Sequence, residues 1–232
     1  SFLLNGRSDL QEDRVAFMVD PGFDYVKTQW GIWLAGGIAT PLCISYPTAS
    51  LKYIIEDAGA KIIVASPQYA RQLADLADEY GVRMITVGQE EGAAIVSLPE
   101  LSSDRNAMIL YTSGTTNMPK GVVSTHENIK AQVSALCSAW AWRSQDHILC
   151  VLPLHHIHGI INVVSCALWS GAVCEFLPKF SEKDAFEQFR KGRINVFMAV
   201  PTIYYKLIAY WETLPAEEQA ELTQRMKTFR LM

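Results

Sequence analysis

The sequence has 232 residues, of which 50% are hydrophobic and 19% are charged. This is enough apolar material for a sizeable buried core, and the composition excludes an intrinsically disordered chain. The 20 basic and 24 acidic residues give a formal net charge of −4, so the chain lacks the basic excess that nucleic-acid binding requires.

The first part of the chain alternates apolar runs with segments of helical periodicity, which predicts βαβ units. The predicted elements are strand 14–19, helix 23–34, strand 38–42, helix 49–58, strand 61–65, helix 68–80 and strand 82–87. The weakly patterned stretch 89–99 is the best candidate for a link. We therefore predict an incomplete N-terminal α/β subdomain over 1–102.

A second series of alternating elements follows this link. Its predicted elements are strands 107–111 and 121–124, helix 127–140, strand 148–152, helix 159–169, strand 172–177, helix 182–191, strand 195–200, helix 201–211 and a last strand from about 228. Alternation of this kind favours an α/β fold with mainly parallel sheets. The second predicted subdomain spans 103–232 and is truncated at its C-terminus.

Cysteine usage and apolar runs bear on the compartment. The five cysteines include no CxxC pair, which argues against a zinc site or a disulfide framework and favours a reducing, cytoplasmic location. The uncharged stretches 28–51 and 147–174 are interrupted by Pro, Gly or His, so neither offers the ~20 apolar residues of a membrane span. We expect no membrane span.

The sharpest motif lies between strands 107–111 and 121–124. It reads YTSGTTNMPKG and combines hydroxyls, glycines and a lysine. Backbone N–H groups, hydroxyls and a mobile positive charge are the donors that polyphosphates need. The alternative is a solvent-exposed Ser/Thr turn without a binding role. The candidate nucleotide-binding residues are Thr112, Ser113, Gly114, Thr115, Thr116, Lys120 and Gly121.

This motif is not a Walker A loop. Pro119 precedes Lys120, Gly121 follows it, and the next residues are β-branched, which favours a strand over a helix. The phosphates should therefore be bound by a loop between two strands, without the help of a helix dipole.

The loop resembles the [ST]SGTTGxPKG signature of the adenylate-forming superfamily, which includes acyl-CoA synthetases and the adenylation domains of peptide synthetases. Asn117 stands where glycine is usual, and Asn is the non-glycine residue that best tolerates a left-handed backbone. The resemblance implies that the loop binds ATP, with Thr116 at Mg²⁺. Thr125 or His126 is expected to cap the next helix.

A histidine cluster, PLHHIHG, follows strand 148–152. A metal site is one interpretation, although no Cys or carboxylate lies nearby, and histidines hydrogen-bonded in a core or turn are another. Pro153, His156 and Gly159 resemble the superfamily's Pro-x-x-His-x-x-Gly motif. The resemblance implies that His156 is catalytic and borders the carboxylate substrate, with His158 beside it as in the malonyl-CoA synthetase branch.

Two further segments are candidate substrate contacts. Val200, Pro201 and Thr202 form either an ordinary strand-to-helix junction or, as the resemblance implies, part of the passage for the acyl group and pantetheine. Arg230 sits among apolar residues and needs an anion or carbonyl partner unless it snorkels at a strand edge. The resemblance implies that this partner is the distal carboxylate of a dicarboxylic substrate.

The resemblance as a whole implies an ATP-dependent carboxylate–CoA ligase that uses ATP, Mg²⁺ and CoA. Malonate or another small dicarboxylate is the expected carboxylic acid. The alternatives are a medium- or long-chain fatty acyl-CoA synthetase, an amino-acid adenylation domain and a non-catalytic binding fragment. The resemblance further implies that the rest of the same enzyme, with the adenine contacts and catalytic lysine, lies beyond Met232. A second copy of the chain is a further expected partner.

Overall fold

The computed structural model describes residues 2–89, 97–112 and 118–232. The chain divides into two compact units, Ser1–Lys130 and Ala131–Met232, and each contains one β-sheet. Within the described ranges, no helix is both long and apolar enough to cross a bilayer.

The first unit contains a six-stranded sheet in the order β4-β3-β1-β2-β5-β6. All its neighbouring strands are parallel except β5 and β6, which form an antiparallel pair. Its elements are β1 (Arg14–Met18), α1 (Phe23–Leu34), β2 (Ile38–Pro41), α2 (Thr48–Ala58), β3 (Ile62–Ala65), α3 (Pro67–Tyr80), β4 (Arg83–Thr86), β5 (Asn106–Thr112) and β6 (Lys120–Thr125), with the start of α4 (His126–Ala139).

Local sequence explains the boundaries of these helices. Helix α2 ends at Gly59 and α3 at Gly81, and both glycines have the left-handed backbone that lets a helix stop. Pro67 opens α3, where its missing N–H costs nothing. Apolar residues of α2 and α3 pack with those of β1, β3 and β5 in one core cluster, so burial of apolar surface holds α2 against the sheet.

The second unit contains an all-parallel, three-stranded sheet in the order β8-β7-β9. Its core cluster includes Phe186, Phe189 and Phe197, whose rings meet edge to face. Its elements after α4 are β7 (His147–Cys150), a π-helix (His158–Ser165), α5 (Cys166–Trp169), β8 (Val173–Phe176), α6 (Glu182–Arg190), β9 (Val196–Phe197), α7 (Pro201–Glu212) and α8 (Ala216–Met226).

The α/β class and the mainly parallel sheets match the prediction, but four details differ. The units divide after Lys130 instead of near residue 102, because β5 and β6 join the first sheet. The predicted helix 159–169 is mostly π-helix, and the last predicted strand is reduced to one bridge between Leu231 and Val196. Helix α8 was not predicted, since Leu222 is the one buried residue of a mostly polar segment.

Candidate functional site

The stems of the Ser/Thr/Gly-rich loop are the paired strands β5 and β6. Thr112, the last residue of β5, is paired with Lys120, the first residue of β6, and both are exposed. The hairpin therefore presents a hydroxyl and an ammonium group to solvent at the base of the loop. The predicted contacts of Ser113, Gly114, Thr115 and Thr116 lie outside the described residues, as does Asn117.

Gly121 allows the two stems to approach closely. A Cβ atom at this position would lie 3.0 Å from Cγ2 of Ile109 and 3.2 Å from Cζ of Tyr111. The glycine after Lys120 is thus explained by the ring of Tyr111, its register partner across the hairpin. Any larger residue would push the ring away or spread the strands.

The end of the hairpin is capped as the sequence predicted. Thr125 Oγ1 accepts a hydrogen bond from the N–H of Asn128, and the Asn128 side chain accepts one from the N–H of Thr125. This reciprocal pair has the arrangement of a capping box and fixes the start of α4. His126 lies edge-on to Trp33 instead, and burial lowers the pKa of its imidazole.

The histidine cluster forms a tight turn between β7 and the π-helix. A Cβ atom on Gly159 would lie 2.6 Å from the carbonyl oxygen of Pro153, so only glycine fits there without moving the backbone. The N–H of Ile160 donates to the carbonyl of His156 at 3.1 Å. These contacts explain the spacing of proline, histidine and glycine, and they leave His156 exposed.

Burial keeps two of the three histidines neutral at physiological pH. It lowers the pKa of His155 to about 4, with a smaller contribution from neighbouring His156, whose ring centroid is 4.1 Å away. Burial also lowers the pKa of His158. A neutral imidazole can donate one hydrogen bond and accept another, so the turn has polar groups suited to orienting a carboxylate.

The Val200–Thr202 segment lies at the same edge of the second sheet as the histidine turn. Val200 precedes α7 in an extended conformation, and Pro201 occupies the first turn of that helix. Strands β7 and β9 are parallel neighbours, and the two segments follow their carboxyl ends. Ligands of parallel α/β sheets characteristically bind at this edge. The structure therefore brings these two predicted segments to one edge of the sheet.

Arg230 is located differently from the prediction. Leu231 pairs with Val196, and the N–H of Arg230 donates to the carbonyl of Asn195, so Arg230 lies at the amino end of β9. Its guanidinium is paired with Asp146, through Nε at 2.6 Å and through Nη2, and Nη1 donates to the carbonyl of Trp140 at 2.7 Å.

Arg230 was expected to need an anion or a carbonyl partner, and it has one of each within the chain. Burial alone would raise the pKa of Asp146, and the hydrogen bonds from Arg230 and from the backbone of Arg143 reverse that effect and lower it. Arg230 thus lies at the opposite end of β9 from the Val200–Thr202 segment, and its guanidinium is bound by groups of the chain itself.

In the parts of the chain that the structure describes, no three His, Cys, Asp or Glu side chains are grouped so that they could hold a metal ion. All five cysteines are free thiols.

The fold is α/β with mainly parallel sheets. A Ser/Thr/Gly/Lys sequence joins two antiparallel strands, and a Pro-x-x-His-x-x-Gly turn follows a parallel strand. Together these features define the class of adenylate-forming enzymes. The family model of AMP-binding enzymes matches residues 4–232. The chain belongs to this family.

Particular members of the family are close to this chain. Malonate–CoA ligase ACSF3, mitochondrial, of Homo sapiens is 45% identical over 214 residues, which are 88% of this chain and 37% of that protein. Malonate–CoA ligase of Arabidopsis thaliana is 33% identical and matches 98% of this chain and 41% of its own length. The chain thus spans about two fifths of these relatives.

Solved structures agree with this result. The crystal structure of ATP-bound MatB from Rhodopseudomonas palustris matches with a TM-score of 0.85 and 28% identity, over 99% of this chain and 46% of that one. A malonyl-CoA ligase ternary product complex with methylmalonyl-CoA and AMP bound matches with a TM-score of 0.79 and 26% identity, over 94% of this chain and 45% of that one.

Proposed function

We propose that the complete protein carrying this chain is an ATP-dependent ligase that joins malonate to CoA. The observation that carries the proposal is the 45% identity to malonate–CoA ligase of Homo sapiens over 88% of the chain. The exposed pair of Thr112 and Lys120 and the exposed His156 support it, because they are groups that the reaction needs.

The reaction has two steps. A carboxylate oxygen of malonate attacks the α-phosphorus of ATP and pyrophosphate leaves, which gives malonyl-AMP. The CoA thiolate then attacks the acyl carbon and displaces AMP. Negative charge develops on the phosphate oxygens in the first step, so positive and N–H or O–H donors aimed at them stabilise its transition state.

Each candidate residue has a role in this proposal. Lys120 and the hydroxyls of Thr112, Ser113, Thr115 and Thr116 bind the β- and γ-phosphates, while Gly114 and Gly121 permit close approach. His156 orients the attacking carboxylate, with His158 beside it. Val200, Pro201 and Thr202 line the passage for the acyl group and the CoA arm.

Mg²⁺ fits the hydroxyl oxygen that the structure describes at the base of the loop. It prefers oxygen ligands and is commonly held by one or two protein groups together with substrate phosphates. The exposed hydroxyl of Thr112 is of this kind, and we assign the ion to the equivalent group of Thr116. When bound, Mg²⁺ offsets negative charge on the phosphates.

The substrate can be tested with the complete gene product. CoA thioester formation should be measured with ATP and Mg²⁺ and with malonate, octanoate or a mixture of amino acids in turn. We expect kcat/KM to be highest for malonate. A preference for octanoate would indicate a fatty acyl-CoA synthetase, and adenylation of amino acids without thioester formation would indicate a peptide-synthetase domain. ATP binding without turnover of any of them would leave a non-catalytic binding protein.

The cellular location is a separate proposal. We propose that the protein is located in the cytoplasm, since free thiols suit a reducing compartment. The printed names of the relatives in Homo sapiens and Xenopus laevis include the word mitochondrial. Fractionation of cells that express the complete, tagged gene product distinguishes the two compartments, and recovery with the mitochondrial matrix would overturn the cytoplasmic proposal.

A further inference from the structure

Helix α2 contacts both stems of the phosphate loop. The hydroxyl of Tyr53 donates to the carbonyl of Pro119 at 3.0 Å, immediately before Lys120. The hydroxyl of Tyr111, one residue before Thr112, donates to the carboxylate of Asp57 at 2.6 Å. One helix thus holds the chain just before the loop and just after it.

The spacing on α2 makes this double contact possible. Tyr53 and Asp57 are four residues apart, so both project from the same face of the helix, one turn from each other. The rings of Tyr53 and Tyr111 also meet edge to face, with centroids 6.4 Å apart. The three side chains form a continuous cluster, which we call the α2 clamp.

The α2 clamp rests on a rigid base. Leu51, Ile54 and Ile55 of α2 are buried in the same core cluster as Tyr111, so the helix cannot shift without disturbing the core. Tyr111 itself is 6% exposed. Burial raises the pKa of its phenol, and the neighbouring Asp57 raises it further, so Tyr111 remains a hydrogen-bond donor at neutral pH.

We propose that Tyr53, Asp57 and Tyr111 are positioning residues that fix the two stems of the phosphate loop, and with them Thr112 and Lys120, for nucleotide binding. Without the clamp, the stems must be ordered when ATP binds, and the entropy lost in that step weakens binding. The clamp thus pre-organises Thr112 and Lys120 before ATP arrives. This inference rests on the proposed function for the identity of the nucleotide.

The first unit contains a matched control for this cluster. Tyr69 donates to Asp20 at 2.6 Å, the same length as the bond from Tyr111 to Asp57, but this bond joins α3 to the segment after β1. Tyr53→Phe, Tyr111→Phe and Tyr69→Phe each remove one hydroxyl group and keep the ring. Effects on the loop can therefore be separated from the loss of a hydrogen bond alone.

The test is the Kd for MgATP, measured by calorimetry on the complete gene product. We expect Tyr53→Phe and Tyr111→Phe to raise the Kd by about 3- to 10-fold each, and Tyr69→Phe to leave it within about twofold. The double variant of Tyr53 and Tyr111 should show non-additive losses, because both residues hold one loop. The KM for the carboxylate should stay unchanged in all variants.

Several results would overturn the clamp. One is an equal Kd for the clamp variants and for Tyr69→Phe. Another is a loss of affinity that is proportional to the fall in the thermal unfolding midpoint in all three variants. A third is no binding of MgATP by the wild type. Failure of the proposed function would give a different result. MgATP would still bind, and the clamp variants would still weaken MgATP binding, but malonate would give no thioester.

Discussion

Lys120 is the residue on which the proposed nucleotide chemistry depends most directly. Its exposed side chain begins β6 at the base of the loop. We predict that Lys120→Ala slows malonyl-AMP formation by about 30- to 1,000-fold, because a positive donor to developing charge is worth roughly 2–4 kcal/mol. Pyrophosphate release in single turnover measures this step. Lys130→Ala, an exposed lysine on α4, is the control, and equal rates for the two variants would exclude the role of Lys120.

Arg230 should matter for stability and not for substrate choice. Arg230→Met leaves the Asp146 carboxylate, which is 2% exposed, without its main partner. We predict a loss of about 3 kcal/mol in the free energy of unfolding, since breaking a buried pair strands a charge. Arg193→Met should cost less than about 1 kcal/mol, because the pair of Arg193 with Glu175 is more exposed.

Urea unfolding measures both Arg variants. The double variant Arg230→Met/Asp146→Leu should recover part of the loss, since it removes the stranded charge. An Arg230→Met protein with unchanged stability and a raised KM for malonate would contradict this account and return Arg230 to the substrate site.

His155 should make stability depend on pH below neutrality. Its pKa is lowered from 6.5 to about 4 in the folded protein. As pH falls from 6.5 towards 4, the unfolded chain takes up a proton that the folded chain does not, so this residue reduces stability over that window and has no effect above it. His155→Gln should flatten the decline of the urea midpoint between about pH 7 and pH 5. Parallel declines in the two proteins would argue against a buried neutral His155.

At the scale of single elements, the turn between β7 and the π-helix depends on Gly159. We predict that Gly159→Ala displaces the turn and lowers kcat/KM for malonate at least about tenfold, because a methyl group would overlap the Pro153 carbonyl and move His156. Gly31→Ala in α1 is the control. Its added methyl meets only Leu3, at 3.7 Å, and alanine favours a helix. Full activity of Gly159→Ala would show that the turn accommodates a side chain.

The sequence predicted those elements whose signals are local. Gly59 and Gly81 end α2 and α3, Pro201 opens α7, and Thr125 caps α4, and each of these effects acts within a few residues. The π-helix could not be predicted, because its apolar residues fit an α-helical pattern and its geometry lies in the backbone.

The residues of the candidate site also divide into those with a local sequence signal and those whose partners are distant in the sequence. Contiguous motifs of the sequence are enough to propose Thr112, Lys120, Gly121, His156 and Gly159. Tyr53 and Asp57 were missed, since their partners lie 66 and 54 residues away. Their four-residue spacing on a predicted helix was the one available signal. The pairing of Arg230 with Asp146 was not predicted, because the two residues are 84 positions apart and no local sequence pattern indicates the pair.

For the molecule as a whole, the two units hold different groups. The first contains the phosphate-loop stems and the α2 clamp, and the second contains the histidine turn and the Val200–Thr202 segment. The groups that we propose for phosphate binding and those that we propose for carboxylate binding thus belong to separate units. Adenylation joins the two substrates by an oxygen of the carboxylate, so the fate of that oxygen tests the whole account.

The most direct measurement follows that oxygen. The complete gene product is supplied with ATP, Mg²⁺, CoA and malonate labelled with ¹⁸O in both carboxylates, and the nucleotide products are analysed by mass spectrometry. Attack on the α-phosphorus predicts AMP that carries one ¹⁸O atom, together with unlabelled pyrophosphate. Unlabelled AMP, or ADP with ¹⁸O in inorganic phosphate, would contradict adenylate formation by this protein.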